Sequence, residues 1–168
     1  MLTSWLDVPS DSDFSLQNIP FGIASVHNDP RHRCVTAIGD TVVDLEVLQD
    51  AGVFNTISKL DPNVFSYSTL NKFMEHPSDV WPLVRKQIID LLAEDGNNYL
   101  LRSNPKLQQA ALYERKNVTM HLPVEIGDYT DFYSSREHAT NGTLRNFKGI
   151  IFEYNFDSSN PDNTCALS

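Results

Sequence analysis

The chain has 168 residues and a mass of 19.0 kDa, enough for one domain or for one domain and part of another, and 40% of its residues are hydrophobic. With 13 Lys and Arg against 22 Asp and Glu, the formal net charge is −9, and basic residues form no cluster beyond short pairs, which argues against a nucleic-acid surface. No apolar run approaches the length of a membrane span, and the first residues lack the features of a signal peptide, so we expect a cytoplasmic protein.

A β-hairpin is predicted near the start of the chain. Residues 34–38 and 41–45 are short β-prone runs, and they flank Gly39-Asp40, a pair typical of a two-residue turn. A small β unit is therefore expected in the amino-terminal part.

Two short helices are predicted after this hairpin. Residues 45–51 favour a helix that Gly52 stops, because glycine readily adopts the left-handed conformation that ends helices. Residues 68–75 favour a second helix, which ends before His76-Pro77 because the residue before a proline is disfavoured in helical geometry.

The clearest helical pattern covers residues 79–95. Ser78 is predicted as its N-cap, and Gly96 lies just past its end. An apolar stripe at helical spacing predicts that one face packs in a core. Its members are Trp81, Val84, Ile88, Leu91 and Leu92. A further helix is predicted to begin at Asn104-Pro105 and to carry Leu107, Ala111 and Leu112.

The two cysteines, Cys34 and Cys165, are far apart and outside any CxxC spacing, so we expect reduced thiols with neither a disulfide framework nor a zinc site. His27 and His32 are expected to be surface or turn residues.

The most informative stretch is residues 120–141, MHLPVEIGDYTDFYSSREHATN, which brings carboxylates, tyrosines and a histidine close together. Gly127 and a Ser-Ser pair favour a loop, and loops often carry chemistry. Aspartate oxygens suit hard cations, and a neutral imidazole can take a proton from water, so Asp131 and His138 are candidate site residues. Composition alone equally fits a solvated loop whose Asp side chains cap turns.

This stretch resembles a known family. The string IGDYTDFYSSREHATN at residues 126–141, preceded by HLP, is similar to the signature segment of the fumarylacetoacetase family, whose members hydrolyse a carbon-carbon bond in a 1,3-diketo acid. The similarity extends upstream to residues 17–22, 37–40 and 69–74, and covers residues 8–141 in all.

The resemblance implies roles for three residues. Asp131 would be a ligand of a catalytic Ca²⁺ or Mg²⁺, Tyr133 would contact the substrate, and His138 would be the general base that activates the attacking water. The family's remaining metal carboxylates and the glutamate that orients the histidine have no counterpart in this sequence. A substrate-binding arginine of the family would fall on Phe147. We therefore expect weak metal binding and little or no turnover from this chain alone.

The resemblance also implies an α+β fold. Residues 1–118 would form a small SH3-like β-barrel domain with attached helices. Residues 119–141 would be the incomplete start of a β-rich catalytic domain, and residues 142–168 would be an unmatched tail.

Three hypotheses remain open. The chain is a truncated version of a longer fumarylacetoacetase, or it is a non-catalytic protein that associates with full-length subunits, since the family's enzymes are dimeric. In the third, the loop serves another chemistry, with replacement ligands drawn from Glu153, Asp157 and Asp162.

Overall fold

A computed structural model of the chain describes residues 3–128. Contacts divide the chain into two compact units, Met1–Glu125 and Ile126–Ser168, and the elements named below lie in the first. Helices combine with one antiparallel sheet, in agreement with the predicted α+β class. The strands are β1 (Phe21–Val26), β2 (Asp29–Ile38), β3 (Thr41–Asp44), β4 (Leu112–Glu114) and β5 (Val118–His121), and the helices are α1 (Leu45–Asp50), α2 (Asn71–Met74), α3 (Val80–Leu92) and α4 (Pro105–Ala111), with 3-10 helices at Val64–Ser66 and Arg115–Asn117.

The predicted hairpin is confirmed as β2 and β3, which pair from Ile38 opposite Thr41. Gly39 has a φ of 55°, and a Cβ at this position would lie 2.4 Å from the backbone oxygen of Asp7, so glycine is required here. Strand β2 begins earlier than predicted, at Asp29, because its polar first half pairs with β1.

The sheet has the order β4-β3-β2-β1-β5, and its two edge strands follow one another in the chain. A flat sheet of this order would place β4 and β5 four strand spacings apart, roughly 19 Å. The two strands are instead joined by the 3-10 helix Arg115–Asn117, which rises only about 6 Å. The two edges of the sheet must therefore approach one another.

An SH3-like barrel, as the resemblance implied, is not confirmed. Within residues 3–128 no ladder of hydrogen bonds joins β4 to β5, so the sheet is not closed. Both edge strands nevertheless contribute to one small apolar cluster, in which Tyr113 and Val118 pack against Ala24, Val35 and Val42.

The main core lies on the other face of the sheet, against the helices. Helix α1 supplies Leu45 and Leu48, and it ends before Gly52, whose φ is 82°, as the sequence predicted. Helix α2 is shorter than predicted, and its one fully covered side chain is Phe73. A chain of tilted aromatic rings with centroids 5.0 to 5.2 Å apart runs through this core; it comprises Phe21, Phe73, Phe65 and Phe54.

Helix α3 confirms the predicted apolar face but not the predicted ends. Val84, Ile88, Leu91 and Leu92 are fully buried, whereas Trp81 is 39% exposed. The indole N–H of Trp81 donates to the Phe73 carbonyl at 3.0 Å, which explains why it stays at the rim of the core.

The start of α3 corrects the predicted N-cap. Asp79 takes the N-cap position instead of Ser78, and no side chain caps the helix there. The Asp79 carboxylate accepts from Lys59 at 2.6 Å, and this hydrogen bond lowers the pKa of Asp79.

The end of α3 is determined by hydrogen bonds from the amino-terminal segment. The Trp5 N–H and the Ser4 hydroxyl donate to the Leu92 carbonyl at 3.2 and 3.0 Å, and the Trp5 indole donates to the Leu91 carbonyl at 3.0 Å. The amino-terminal segment thus satisfies the last carbonyls of the helix, and the chain turns away at Ala93, short of the predicted end at residue 95.

Helix α4 begins as predicted. The Asn104 side chain accepts from the Leu107 N–H at 3.2 Å, and Pro105 occupies the first turn. The prediction that Leu112 is helical is wrong, because Leu112 opens β4 and pairs with Val43 of β3.

Cys34 is fully buried, and its thiol is 3.4 Å from the Tyr67 carbonyl oxygen. Burial raises the pKa of this thiol to about 12, and the nearby Asp44 and Glu46 charges act in the same direction. The raised pKa lowers the thiolate fraction of Cys34 at neutral pH. Cys165 lies outside the described residues.

Thr36 carries a buried hydroxyl whose oxygen has no hydrogen-bond partner among residues 3–128. Its side chain is on β2, opposite Phe21 and Val43, and Thr36 is 1% exposed. We expect Thr36→Val to raise the free energy of unfolding by about 1 kcal/mol, because valine has the same shape without the desolvated hydroxyl. Urea unfolding measures this, and Thr119→Val on the exposed face of β5 is the control. A loss of stability in Thr36→Val would show that the hydroxyl does have a partner.

Candidate functional site

The three residues that the sequence singled out, Asp131, Tyr133 and His138, lie outside the described residues. The described part of the chain reaches Asp128, the third residue of the signature segment, which we define as residues 126–141. What the structure shows is therefore the support from which this segment departs, and the polar clusters of the first unit.

The support is built on the first turn of α2. The Leu70 N–H donates to the Pro123 carbonyl at 2.8 Å. The Asn71 side chain binds both backbone groups of Glu125: its oxygen accepts from the N–H at 2.8 Å, and its NH₂ group donates to the C=O at 3.1 Å. Val124, between these contacts, packs against the main core. Residues 123–125 are thus held at three points although they belong to no strand.

A second polar cluster joins β1, β2 and β5. The Ser25 hydroxyl and the His121 Nε2 lie 2.8 Å apart, and the His32 ring stacks on the His121 ring with centroids 3.9 Å apart. His32 and His27 are exposed, as predicted. A nucleophilic serine needs a base that a third group orients, and in the described part of the chain no carboxylate binds His121. This cluster therefore lacks the parts of a hydrolytic dyad.

An ion pair is buried on the sheet face that carries Ala24 and Val35. The Arg33 guanidinium donates to the Asp44 carboxylate at 2.9 Å and also binds Asp29, and Asp44 is fully buried. Burial is the largest influence and works against the charged guanidinium, but the hydrogen bonds that Arg33 donates to Asp44 and Asp29 and the charge of Asp44 together outweigh it, so the pKa of Arg33 is raised. Because the buried guanidinium of β2 pairs with the Asp44 carboxylate of β3, this cluster is a structural cross-link between the two strands.

An open cleft of about 600 Å³ runs along residues 3–17 and Glu94. Among the described residues, its titratable lining side chains are Asp7 and Glu94, and no basic side chain lines it. Over residues 3–128, no three His, Cys, Asp or Glu side chains come together as a metal site. In the same range no helix is long and apolar enough to cross a membrane.

Comparison with known proteins decides the family. Residues 17–123 match the family model described as fumarylacetoacetase N-terminal. The chain belongs to the fumarylacetoacetase family. The match includes β1 to β5, helices α1 to α4, and the Leu70, Asn71 and Pro123 support described above.

Fumarylacetoacetases of several organisms align with most of this chain. The protein of Mus musculus is 42% identical over 138 residues, which are 82% of this chain and 32% of the relative. That of Caenorhabditis elegans is 43% identical over 141 residues, which are 83% of this chain and 33% of the relative. That of Homo sapiens is 41% identical over 138 residues, which are 82% of this chain and 32% of the relative. The chain thus spans about a third of the length of the fumarylacetoacetases that it matches.

The role of Asn71 was not predicted from the sequence, although the residue lies in one of the segments that carry the family resemblance. Its partner Glu125 is 54 positions away, so no local pattern indicates the contact. Only the pairing of α2 with the chain that follows β5 shows it.

Proposed function

We propose that the chain provides the amino-terminal domain and the beginning of the catalytic domain of a fumarylacetoacetase. That enzyme hydrolyses the carbon-carbon bond of fumarylacetoacetate to fumarate and acetoacetate, in tyrosine and phenylalanine catabolism. The observation that carries the proposal is the identity of about 40% to fumarylacetoacetases over 138 residues or more. We place the protein in the cytoplasm.

In this proposal three residues of the signature segment have separate roles. His138 takes a proton from the attacking water, Tyr133 contacts the diketo acid, and Asp131 is a ligand of Ca²⁺ or Mg²⁺. When bound, such a cation stabilises the negative charge that develops on the substrate.

A single carboxylate cannot hold this cation by itself, because Ca²⁺ takes six to eight oxygen ligands and Mg²⁺ requires an octahedral set. The described residues add no metal cluster. We therefore propose that the 168-residue chain assayed alone is inactive and binds Ca²⁺ weakly.

The proposed domains are residues 1–118 as the amino-terminal domain, 119–141 as the start of the catalytic domain and 142–168 as a tail. We further propose that the sheet is a partly open SH3-like barrel. The short connection between β4 and β5 and their shared cluster around Val35 support this. The contacts of β5 with β1 favour counting residues 118–121 with the first domain.

The activity is tested with a chimera in which residues 1–141 of this chain replace the aligned segment of the mouse fumarylacetoacetase. We expect the chimera to hydrolyse fumarylacetoacetate, and His138→Ala to lower its kcat by about 10²-fold to 10⁴-fold, as for loss of a general base. His27→Ala, at an exposed turn, is the matched control and should leave kcat unchanged. A folded chimera whose activity does not depend on His138 would refute the assignment.

The second candidate function is a non-catalytic subunit that associates with full-length fumarylacetoacetase or with itself as a homodimer. The observation that favours it is the extensive core of the first unit, in which 27 apolar residues are buried among residues 3–125. Co-expression of the tagged chain with the full-length enzyme, followed by light scattering, tests it. A tagged chain that purifies without the full-length enzyme and scatters light as a monomer would exclude association.

A further inference from the structure

We propose that Asn71 is a positioning residue that fixes the point at which the signature segment leaves the first unit. We call the contacts of residues 70–71 with residues 123–125 the clamp. The clamp is inferred from these contacts alone, whereas its effect on catalysis rests on the proposed function.

The side chain of Asn71 matches the backbone of Glu125 in both donor and acceptor. A primary amide offers one acceptor oxygen and an NH₂ donor, and here the first meets the N–H at 2.8 Å while the second meets the C=O at 3.1 Å. This is the pair of bonds that a neighbouring strand would make. With the bond from Leu70 to Pro123 at 2.8 Å, it fixes the backbone of residues 123–125 by three hydrogen bonds.

Asn71 is not needed to build α2. Its side chain does not cap the helix, since the N-cap position belongs to Leu70 and no side-chain bond is made there. Both polar groups of the amide are used on Glu125. A residue whose polar atoms all serve a segment 54 positions away has a role in tertiary positioning.

The residues that carry the clamp are packed in the main core. Phe73, one half-turn further along α2, is 5% exposed and packs its ring 5.0 Å from Phe21 and 5.2 Å from Phe65. Leu70 is 6% exposed in the same core. Glu125, the last residue of the first unit, is therefore tied directly to the main core, one residue before the signature segment.

Leucine and aspartate at position 71 affect the two hydrogen bonds to Glu125 differently. Leucine has nearly the shape of asparagine but no polar atom, so Asn71→Leu removes both bonds. Aspartate keeps the acceptor for the Glu125 N–H, but its carboxylate repels the Glu125 carbonyl at neutral pH. Once protonated, an aspartic acid can donate to that carbonyl and restore both bonds.

Amide hydrogen exchange of the full 168-residue chain, followed residue by residue by NMR, tests the clamp. In Asn71→Leu we expect the Glu125 amide to exchange at least about 10-fold faster, while the Ile23 amide of β1 is unchanged and the Tm shifts by less than about 2 °C. In Asn71→Asp, the protection of Glu125, corrected for intrinsic exchange, should rise between pH 7 and pH 4. Lys72→Ala, which removes only an exposed ion pair with Glu75, is the matched control.

Unchanged protection of Glu125 in Asn71→Leu, or an equal loss of protection at Ile23, would overturn the clamp. In the chimera with the mouse enzyme, Asn71→Leu should lower kcat at an unchanged Tm. Because exchange needs no activity, an inactive chimera would count against the proposed function, while the exchange result would still decide the clamp.

Discussion

Asp44→Ala is expected to destabilise the first unit by about 4 kcal/mol, a large share of the 5 to 15 kcal/mol that holds a typical domain folded. The Asp44 carboxylate is fully buried and accepts from Arg33 at 2.9 Å, and it also caps α1 by accepting from the backbone of Glu46 and Val47 at 3.0 and 3.2 Å. Removing one partner of a buried ion pair leaves the other charge without compensation.

Asp44→Asn separates the two contributions. Asparagine keeps the oxygen that caps α1, but its NH₂ group replaces the oxygen that accepts from Arg33. The charge and this hydrogen bond are both lost, and we expect about half of the effect. Urea unfolding measures both variants, and Lys59→Ala, which breaks the exposed pair with Asp79, should cost less than about 1 kcal/mol. If Asp44→Asn were as stable as the unsubstituted chain, the hydrogen-bonded ion pair of Asp44 with Arg33 would have no part in stability.

Phe65→Ala is expected to cost about 4 kcal/mol of unfolding free energy. Phe65 is fully buried, and its ring lies 5.1 Å from Phe54 and 5.2 Å from Phe73, so truncation opens a cavity in the middle of the aromatic chain. The same change removes packing from the helix that carries Asn71.

Phe65→Leu, which fills most of the cavity, should cost less than half as much in the same denaturant measurement. Tyr99→Ala is the control, because Tyr99 is 56% exposed and its loss should change the free energy of unfolding by no more than about 0.5 kcal/mol. Equal effects for Phe65→Ala and Tyr99→Ala would contradict the packing described for the core.

Elements whose signals are local were predictable from the sequence. The β2–β3 hairpin follows from two apolar runs around Gly39-Asp40, and α4 from Asn104-Pro105. The end of α3 was not predictable, because the donors to its last carbonyls are Ser4 and Trp5, nearly ninety residues earlier. Strands β4 and β5 are short and partly polar, and only pairing with β3 and β1 makes them strands.

The candidate site also has one part that the sequence indicates and one part that only the structure shows. The roles of Asp131, Tyr133 and His138 come from the family resemblance of a contiguous string, and they stay predictions. The Asn71 clamp depends on a contact across 54 residues, so neither periodicity nor spacing could reveal it.

The strand pairs of the sheet differ in the length of the chain loop that each pairing closes, and therefore in the entropy cost of forming them. The β2–β3 hairpin closes a loop of a few residues, whereas pairing Ile23 of β1 with His121 of β5 closes one of nearly a hundred. The entropy of the longer closure costs about 3 kcal/mol more. This cost grows by only about 0.6 kcal/mol for each doubling of length, so the connections between α1 and α4 can lengthen cheaply. The pairing of β5 with β1 therefore carries a higher entropy cost than the β2–β3 hairpin, which the core enclosed by that loop must offset.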